Sequence, residues 1–413
     1  MTRRSSTPAV SSAALNTLTL GTLTRIVPRA TVAQVLRRHQ RMHKIHCKLP
    51  APFLVYFVIA LGLRMALPTR EVLRWLRQGM RALWGAAAVP AAMAGKAAIS
   101  MARTRLGWEV PRDLYAACVR PLATQRTRGA WYRGRRLVAF DGTTFATPDT
   151  ASNTAAFGKT GSKEGPSAFP LLRVVGLVEV GTHVVLAAIL GAWRDAELTL
   201  AETLLPHLQA GMLCLLDRGF VGYPFWQQVT ATGADLLGRL RANMDLPVEK
   251  RLDDGSYLST LYPSPQDRRR GTRGVRVRVI EYTLPHVPDA EPVYRLCTTL
   301  LDPAQAPAAE LAALYHERWE HESVLDEVKT HLRGGSAAVL RSLTADLVRQ
   351  EVYGLLLAHY AVRGVMHDAA RQADEDPDRL SFTHTVRVLR RTLPEAAALP
   401  PSAVVALVSG RPD

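Results

Sequence analysis

Two short apolar runs in this chain each stop on an aspartate: residues 137–140, Leu-Val-Ala-Phe, lead into Asp141, and residues 212–216, Met-Leu-Cys-Leu-Leu, lead into Asp217. Runs this short and this apolar fit strands buried on both faces, as the inner strands of a parallel or mixed sheet are. Residues 171–180 and 183–190 read as a hairpin turning at Gly181 and Thr182, residues 198–205 as a short helix stopped by Pro206, 224–232 as a second helix, 235–240 as a further strand and 308–332 as a long helix. The order strand, hairpin, helix, strand, helix, strand predicts an α/β (α+β) fold with a mixed sheet. Ligands bind beyond the carboxyl ends of strands in such sheets, so two aspartates placed there could share a hard cation. The plainer alternative is a turn at Asp141-Gly142 and an aspartate capping the next element at 217.

Before residue 136 the texture is helical. Residues 32–43 are amphipathic and basic, 53–63 apolar, 69–84 amphipathic with Thr69 as a candidate N-cap, 97–106 helical, and 112–119 helical behind Pro111. Two short helices joined by a small-residue turn could form a helix-turn-helix with Ser100, Arg103 and Arg105 facing nucleic acid. Charge separates this part from the rest. Residues 1–136 hold 24 basic and 3 acidic side chains, a balance of +21; the other 28 basic and 33 acidic residues give −5, for the net +16 of the chain. A cationic segment of this strength makes a polyanion, and nucleic acid before a membrane surface, the expected partner.

Other classes are excluded. Cys47, Cys118, Cys214 and Cys297 lie far apart without a CxxC pair, so neither a disulfide framework nor a thiolate zinc site is indicated, as suits a reducing cytosol. No signal peptide is read at the N-terminus, and the apolar run between Pro50 and Arg64 falls short of the roughly 20 residues a bilayer core requires. It reads as a buried helix. His39, His43 and His46 beside Cys47 read as a polar helix face rather than a metal site, because their surroundings are basic and lack a carboxylate.

The helix 308–332 carries a third acidic group. At about 100° per residue, Tyr315, Arg318, Glu322, Asp326 and Lys329 fall within roughly 80° of one another. Leu314, Leu325, Val328 and Leu332 line a neighbouring apolar stripe, while His316, Glu317, Glu320 and Glu327 point toward water. Two strand-end aspartates and a helix glutamate make the acidic triad that two-metal phosphoryl transfer needs. The spacing Tyr, two residues, Arg, three residues, Glu, six residues, Lys is met by Tyr315, Arg318, Glu322 and Lys329, with Trp319 after the arginine. With Asp141 in Asp-Gly-Thr and Asp217 in Asp-Arg-Gly-Phe, the chain resembles the DDE transposases of the insertion sequence 4 family over about residues 25–365.

That resemblance implies an RNase H-like catalytic core over 135–370, behind a flexible lead (1–24) and a helical DNA-binding domain (25–130), and before a tail (371–413). It implies catalytic and metal-holding roles for Asp141, Asp217 and Glu322 around two Mg²⁺ ions, with Mn²⁺ able to substitute. Tyr315, Arg318 and Lys329 would hold phosphates, and Trp319 would stack on a base displaced in a DNA hairpin. The partner would be double-stranded DNA, at transposon ends and at targets. Synapsis implies a homodimer, and the setting a bacterial cytoplasm without a membrane. A stand-alone metal-dependent nuclease, or an inactive DNA-binding remnant, are the alternatives, and Asp149 and Asp326 the substitute acids.

Glu322 follows Asp217 by 105 residues, more than one helix and one strand need, and the anomalous stretch 244–292 reads as a β-rich insertion filling that interval. Within it Arg268, Arg269, Arg270, Arg273, Arg276 and Arg278 lie inside 11 residues, the last two alternating with Val275, Val277 and Val279. A strand with one apolar and one guanidinium face suits contact with DNA phosphates. Lys159, Lys163 and Arg173 flank the first hairpin and are further candidates for the DNA channel.

Overall fold

A computed structural model of the chain describes residues 21, 23–42, 49–90, 92–162, 165–241, 243–284, 291–319, 324–332 and 338–391. Glu322, Lys163, His43, His46 and Cys47 lie outside the described residues, as do the side chains of Arg318 and Trp319.

The described N-terminal part is helical: α1 (Arg29–Arg38), α2 (Ala51–Leu63), α3 (Thr69–Trp84), α4 (Lys96–Leu106) and α5 (Glu109–Cys118). The apolar run becomes α2, which buries every residue except Pro52. No helix among the described residues is long and apolar enough to cross a membrane. Thr69 is the first helical residue of α3 rather than its cap, a place taken by Pro68 without a side-chain cap bond. Helices α4 and α5 are joined through Gly107, at φ +77°, and Trp108, a helix-turn-helix connection. Arg103, however, does not face outward. It is buried, donating to Gln350 Oε1, Ser342 Oγ and the Leu347 carbonyl, so it ties α4 to the later chain instead of meeting DNA. Ser100 and Arg105 are exposed.

The sheet then follows as β1 (Arg135–Ala146), β2 (Leu171–Glu179), β3 (Val184–Ala192), β4 (Met212–Leu216), β5 (Asp235–Arg239), β6 (Lys250–Arg251), β7 (Tyr257–Leu261), β8 (Val275–Tyr282) and β9 (Tyr294–Thr298). Among the described residues their spatial order is β3-β2-β1-β4-β5-β9-β8-β7-β6, with the two-residue strand Trp131–Tyr132 on β1. β1 runs parallel to β4, and β4 to β5; all other pairs are antiparallel. The β-rich stretch after β5 therefore extends the same sheet: β9 hydrogen-bonds to β5. Connections include α6 (Ala151–Phe157), α7 (Glu197–Glu202), α8 (Tyr223–Ala231) and α9 (Pro265–Arg270).

Alternation along β1 and β4 sets two faces. Val138, Phe140, Cys214 and Leu216 join a cluster with Phe225 and the fully buried Trp226 of α8. Leu137, Leu213 and Leu215 look the other way, onto α10 (Ala308–Trp319). On that second face too, Phe145, Leu172 and Val174 meet a cluster built from the N-terminal helices and α11 (Ala345–Ala373). α11 crosses α2 at glycines: a Cβ on Gly354 would stand 2.6 Å from the Val58 carbonyl oxygen, and one on Gly62 2.7 Å from Leu355 Cα. The stretch expected as a C-terminal tail contains α12 (Phe382–Arg391), whose Phe382, Val386 and Leu389 are buried in that cluster.

The long helix expected over 308–332 is not uniform. α10 ends at Trp319, a single α turn spans Val324–Asp326, and Glu327–Leu332 is π-helical. The change of winding breaks the 100° bookkeeping, and Glu327 turns inward. It is buried and bonded to Arg363, His359 (3.2 Å) and His183 (3.1 Å), where the even helical wheel placed it in water.

Candidate active site

Asp141 and Asp217 come together through strand register. β1 and β4 pair Arg136 with Met212 through Ala139 with Leu215. Continuing that register by two residues sets Asp141 opposite Asp217, on strands spaced about 4.8 Å apart. Asp141 sits inside β1, so Asp141-Gly142 is not a turn; Asp217 caps a short 3₁₀ turn at Arg218–Phe220 by accepting from the Arg218 amide at 2.5 Å. Both aspartates are half-buried.

The helix that carries the Tyr-Arg-Glu-Lys spacing is tied to both strands. Tyr315, buried in α10, donates from its hydroxyl to the Leu216 carbonyl at 3.1 Å, one residue before Asp217. Burial first, and then the neighbouring Asp217 charge, push its phenol far above the usual range. Tyr315 therefore braces the end of β4 instead of presenting its hydroxyl to a phosphate. Beyond the undescribed 320–323, the Leu325 amide donates to Asp141 Oδ2 at 2.9 Å. Lys329 is half-buried in the π-helical turn. Arg318 lies in the last turn of α10, with Trp319 closing it.

Cations gather beside Asp217. Arg218 and Arg239 both pair with Glu291, the latter at 2.9 Å; Arg239 stacks 4.4 Å over the Tyr294 ring, and Arg241 donates to the Arg218 carbonyl at 2.9 Å. On the far flank, α7 brings Glu197 toward the aspartates. Burial raises the Glu197 carboxyl, Arg173 opposes this, and Asp141 and Asp217 add to it. Sequence reasoning placed a helix there and overlooked Glu197; an acid at the head of a helix between two strand-end aspartates was the available signal.

The arginine cluster divides. Arg268, Arg269 and Arg270 are exposed on α9, and Arg276 is exposed on β8. Arg273 is two-thirds exposed but forks onto Asp267 at 2.8 and 2.9 Å. Arg278 is fully buried: it donates to Ser256 Oγ (2.7 Å) and to the carbonyls of Leu300 and Ala306, and pairs with Asp254. The guanidinium face expected at this position is covered by the chain leading into α10, so Arg278 cannot reach DNA. Lys159 pairs with Asp149 at 2.7 Å, and Arg173 stacks on Trp193 at 5.0 Å. Of the substitute acids, Asp149 is thus occupied by Lys159, and Asp326 accepts from Thr330 at 3.2 Å.

Asp141 and Asp217 offer carboxylate oxygens alone, the donor type that hard divalent cations take. Among the described residues no group of three or more His, Cys, Asp or Glu side chains is drawn together closely enough to hold a metal ion. Glu322, the expected third acid, stands three residues before Leu325 in sequence.

Comparison with known proteins adds to this geometry. Residues 132–360 match the family described as Transposase DDE domain, and residues 17–116 the family described as Insertion element 4 transposase N-terminal. The chain is 30% identical over 302 residues to "Transposase InsG for insertion sequence element IS4" of Escherichia coli (strain K12), covering 72% of this chain and 67% of that protein. It is 23% identical over 210 residues to "Putative transposase InsZ" of the same organism, covering 46% of this chain and 69% of that one. Among solved structures it aligns with a piggyBac transposase synaptic complex with hairpin DNA at a TM-score of 0.46 and 11% identity, over 93% of this chain and 80% of that chain.

Proposed function

The chain belongs to the DDE-domain transposases of the insertion element 4 type, and from that membership we propose that it binds the terminal inverted repeats of an insertion sequence, cleaves DNA there and joins the freed ends to target DNA. Asp141, Asp217 and Glu322 form the acidic triad in this reading, around two Mg²⁺ ions that Mn²⁺ can replace. The observation that carries it is the level placement of Asp141 and Asp217 on adjacent parallel strands, with the signature helix tied to both through Tyr315 and Leu325. The order β3-β2-β1-β4-β5, antiparallel on one side and parallel on the other, supports an RNase H-like core.

A bound pair of divalent ions supplies activation of the attacking oxygen and stabilisation of the leaving one. The residues of this chain orient and hold. Water attacks the scissile phosphate; as the new P–O bond forms, the bond to the 3′ oxygen breaks and a 3′-hydroxyl leaves. In transfer that hydroxyl, losing its proton, attacks a target phosphate and displaces a target 3′ oxygen, which takes up a proton. Tyr315 keeps Asp217 level with Asp141 by holding the Leu216 carbonyl. Arg318 and Lys329 hold phosphates near the cut, and Trp319 stacks on a base displaced in a hairpin at the element end. The exposed Arg268, Arg269, Arg270, Arg273 and Arg276 contact flanking phosphates, and the basic N-terminal part adds sequence-independent attraction. Two copies synapse two ends, in the cytoplasm of a bacterium.

A pre-cut end carrying a 3′-hydroxyl, incubated with target DNA and Mg²⁺, tests this. Joining to target is expected. Hydrolysis without joining would make the chain a nuclease, and binding without either would make it a DNA-binding remnant. Glu322→Gln should abolish both steps, and cleavage surviving it would remove Glu322 from the triad.

A further inference from the structure

Glu197 opens α7, on the side of the sheet opposite the signature helix. Its carboxylate rests on the backbone of β1 at the one residue there without a side chain: a Cβ built on Gly142 would stand 1.6 Å from Glu197 Oε1 and 2.5 Å from its Cδ. Asp141 and Gly142, adjacent in a strand, look to opposite faces. The pairing of β1 with β4 stops at Ala139 and Leu215, while β1 runs on to Ala146 against β2 alone. The sheet therefore has an opening between Asp141 and Asp217, which side chains from either face can enter, and Glu197 stands at its second face.

The three carboxylates differ in how they are held. Asp141 accepts from the Leu325 amide and Asp217 from the Arg218 amide. The ion pair of Glu197 is a contact of 3.5 Å to Arg173, and 38% of its side chain is exposed. Asp141 and Asp217 both act on its charge in the direction that opposes ionisation. Like charges surrounding one opening, without converging on a point, are what a divalent cation relieves.

Resting on the reading of Asp141 and Asp217 as cation ligands, we propose that Glu197 is a further carboxylate of the same cation site, entering from the second face of the sheet, and that Gly142 lacks a side chain to admit it. The Asp-Gly pair then has a physical reason: the aspartate supplies one ligand and the glycine makes room for another.

Mn²⁺ binding by the full chain with a bound DNA end, followed by isothermal titration calorimetry, tests the proposal without reference to turnover. Glu197→Gln is expected to weaken Mn²⁺ about tenfold or more, and Gly142→Ala to weaken it by displacing the carboxylate. Arg173→Met should leave Mn²⁺ affinity at the wild-type value. If Asp141→Asn weakens Mn²⁺ while Glu197→Gln and Gly142→Ala do not, Glu197 is outside the site and the reading of Asp141 stands. If Asp141→Asn itself leaves Mn²⁺ binding unchanged, the cation reading fails first. If Arg173→Met weakens binding as much as Glu197→Gln, Glu197 serves as a counter-ion to Arg173 and the proposal is overturned.

Discussion

The Leu325 amide donates a 2.9 Å hydrogen bond to Asp141 Oδ2 across 184 residues of sequence. Asp141 is thereby both a candidate ligand and the point where the signature helix meets the central strand. Asp141→Asn keeps an acceptor for that amide while removing the charge. Stability should change by less than about 1 kcal/mol, while end cleavage falls by more than the 10 to 100-fold, roughly, that loss of an outer-shell partner costs a metal site. Thermal melting beside a labelled-end cleavage assay checks this; a melting temperature that collapsed with activity would give Asp141 a structural role instead.

α2 and α11 approach so closely at Gly62 and Gly354 that neither position has room for a methyl group. Gly354→Ala would force the Val58 backbone and side chain away, an overpacking cost of about 1–3 kcal/mol. Because this crossing joins the N-terminal helices to the helix behind the site, urea unfolding should show a lower midpoint in one transition. Loss of a separate early transition alone would mean the two regions unfold independently.

Asp141 and Asp217 were legible in the sequence because each ends an apolar run, a pattern that strand geometry turns directly into position. The β1–β4 pairing and the hairpin β2–β3 followed from the same periodicity. Glu327 was not legible: its place depends on a π-helical turn that shifts the winding after Asp326, and a wheel with constant angle sends it to water. Arg103 and Arg278 escaped for a related reason. A guanidinium in a basic stretch reads as a surface charge until the elements that cover it, α11 for Arg103 and the lead into α10 for Arg278, are known. Glu197 and Gly142 are 55 residues apart in sequence, and only the fold sets one on the other.

Arg278 and Arg276 sit on one strand two residues apart and should behave oppositely. Arg278→Met leaves Asp254 and two carbonyls without their donor, costing about 3–5 kcal/mol as breaking a buried pair does. Arg276→Ala, at an exposed position, should alter stability by no more than about 0.5 kcal/mol. It should instead weaken DNA binding and lower the slope of log affinity against log salt by about 0.9. Chemical unfolding with a salt series of DNA binding separates them; an unchanged salt slope in Arg276→Ala would take that residue off the DNA.

Stability should fall as the solution is made mildly acidic. His359 faces Glu327, Arg363 and the Phe382 ring, and burial holds its folded-state pKa below the unfolded value despite the pull of Glu327. His367 moves the same way through burial, against Asp368 and Glu179. As pH drops through about 6.5, the unfolded chain takes up protons that these folded-state imidazoles refuse, so stability present above 6.5 is lost below it. Glu327 does not contribute in this range. Burial would raise its carboxyl, but Arg363 with His183 and His359 holds it well below the usual range, and its stabilisation is lost only below the unfolded value of about 4.3. Between pH 7 and 5.5 the unfolding free energy should therefore decline with a slope of up to about 1.4 kcal/mol per pH unit for each histidine. His359→Gln should have a shallower slope than wild type, whatever its absolute stability. Equal slopes in urea melts of the two proteins would show that His359 accepts its proton in the folded state as readily as in the unfolded one.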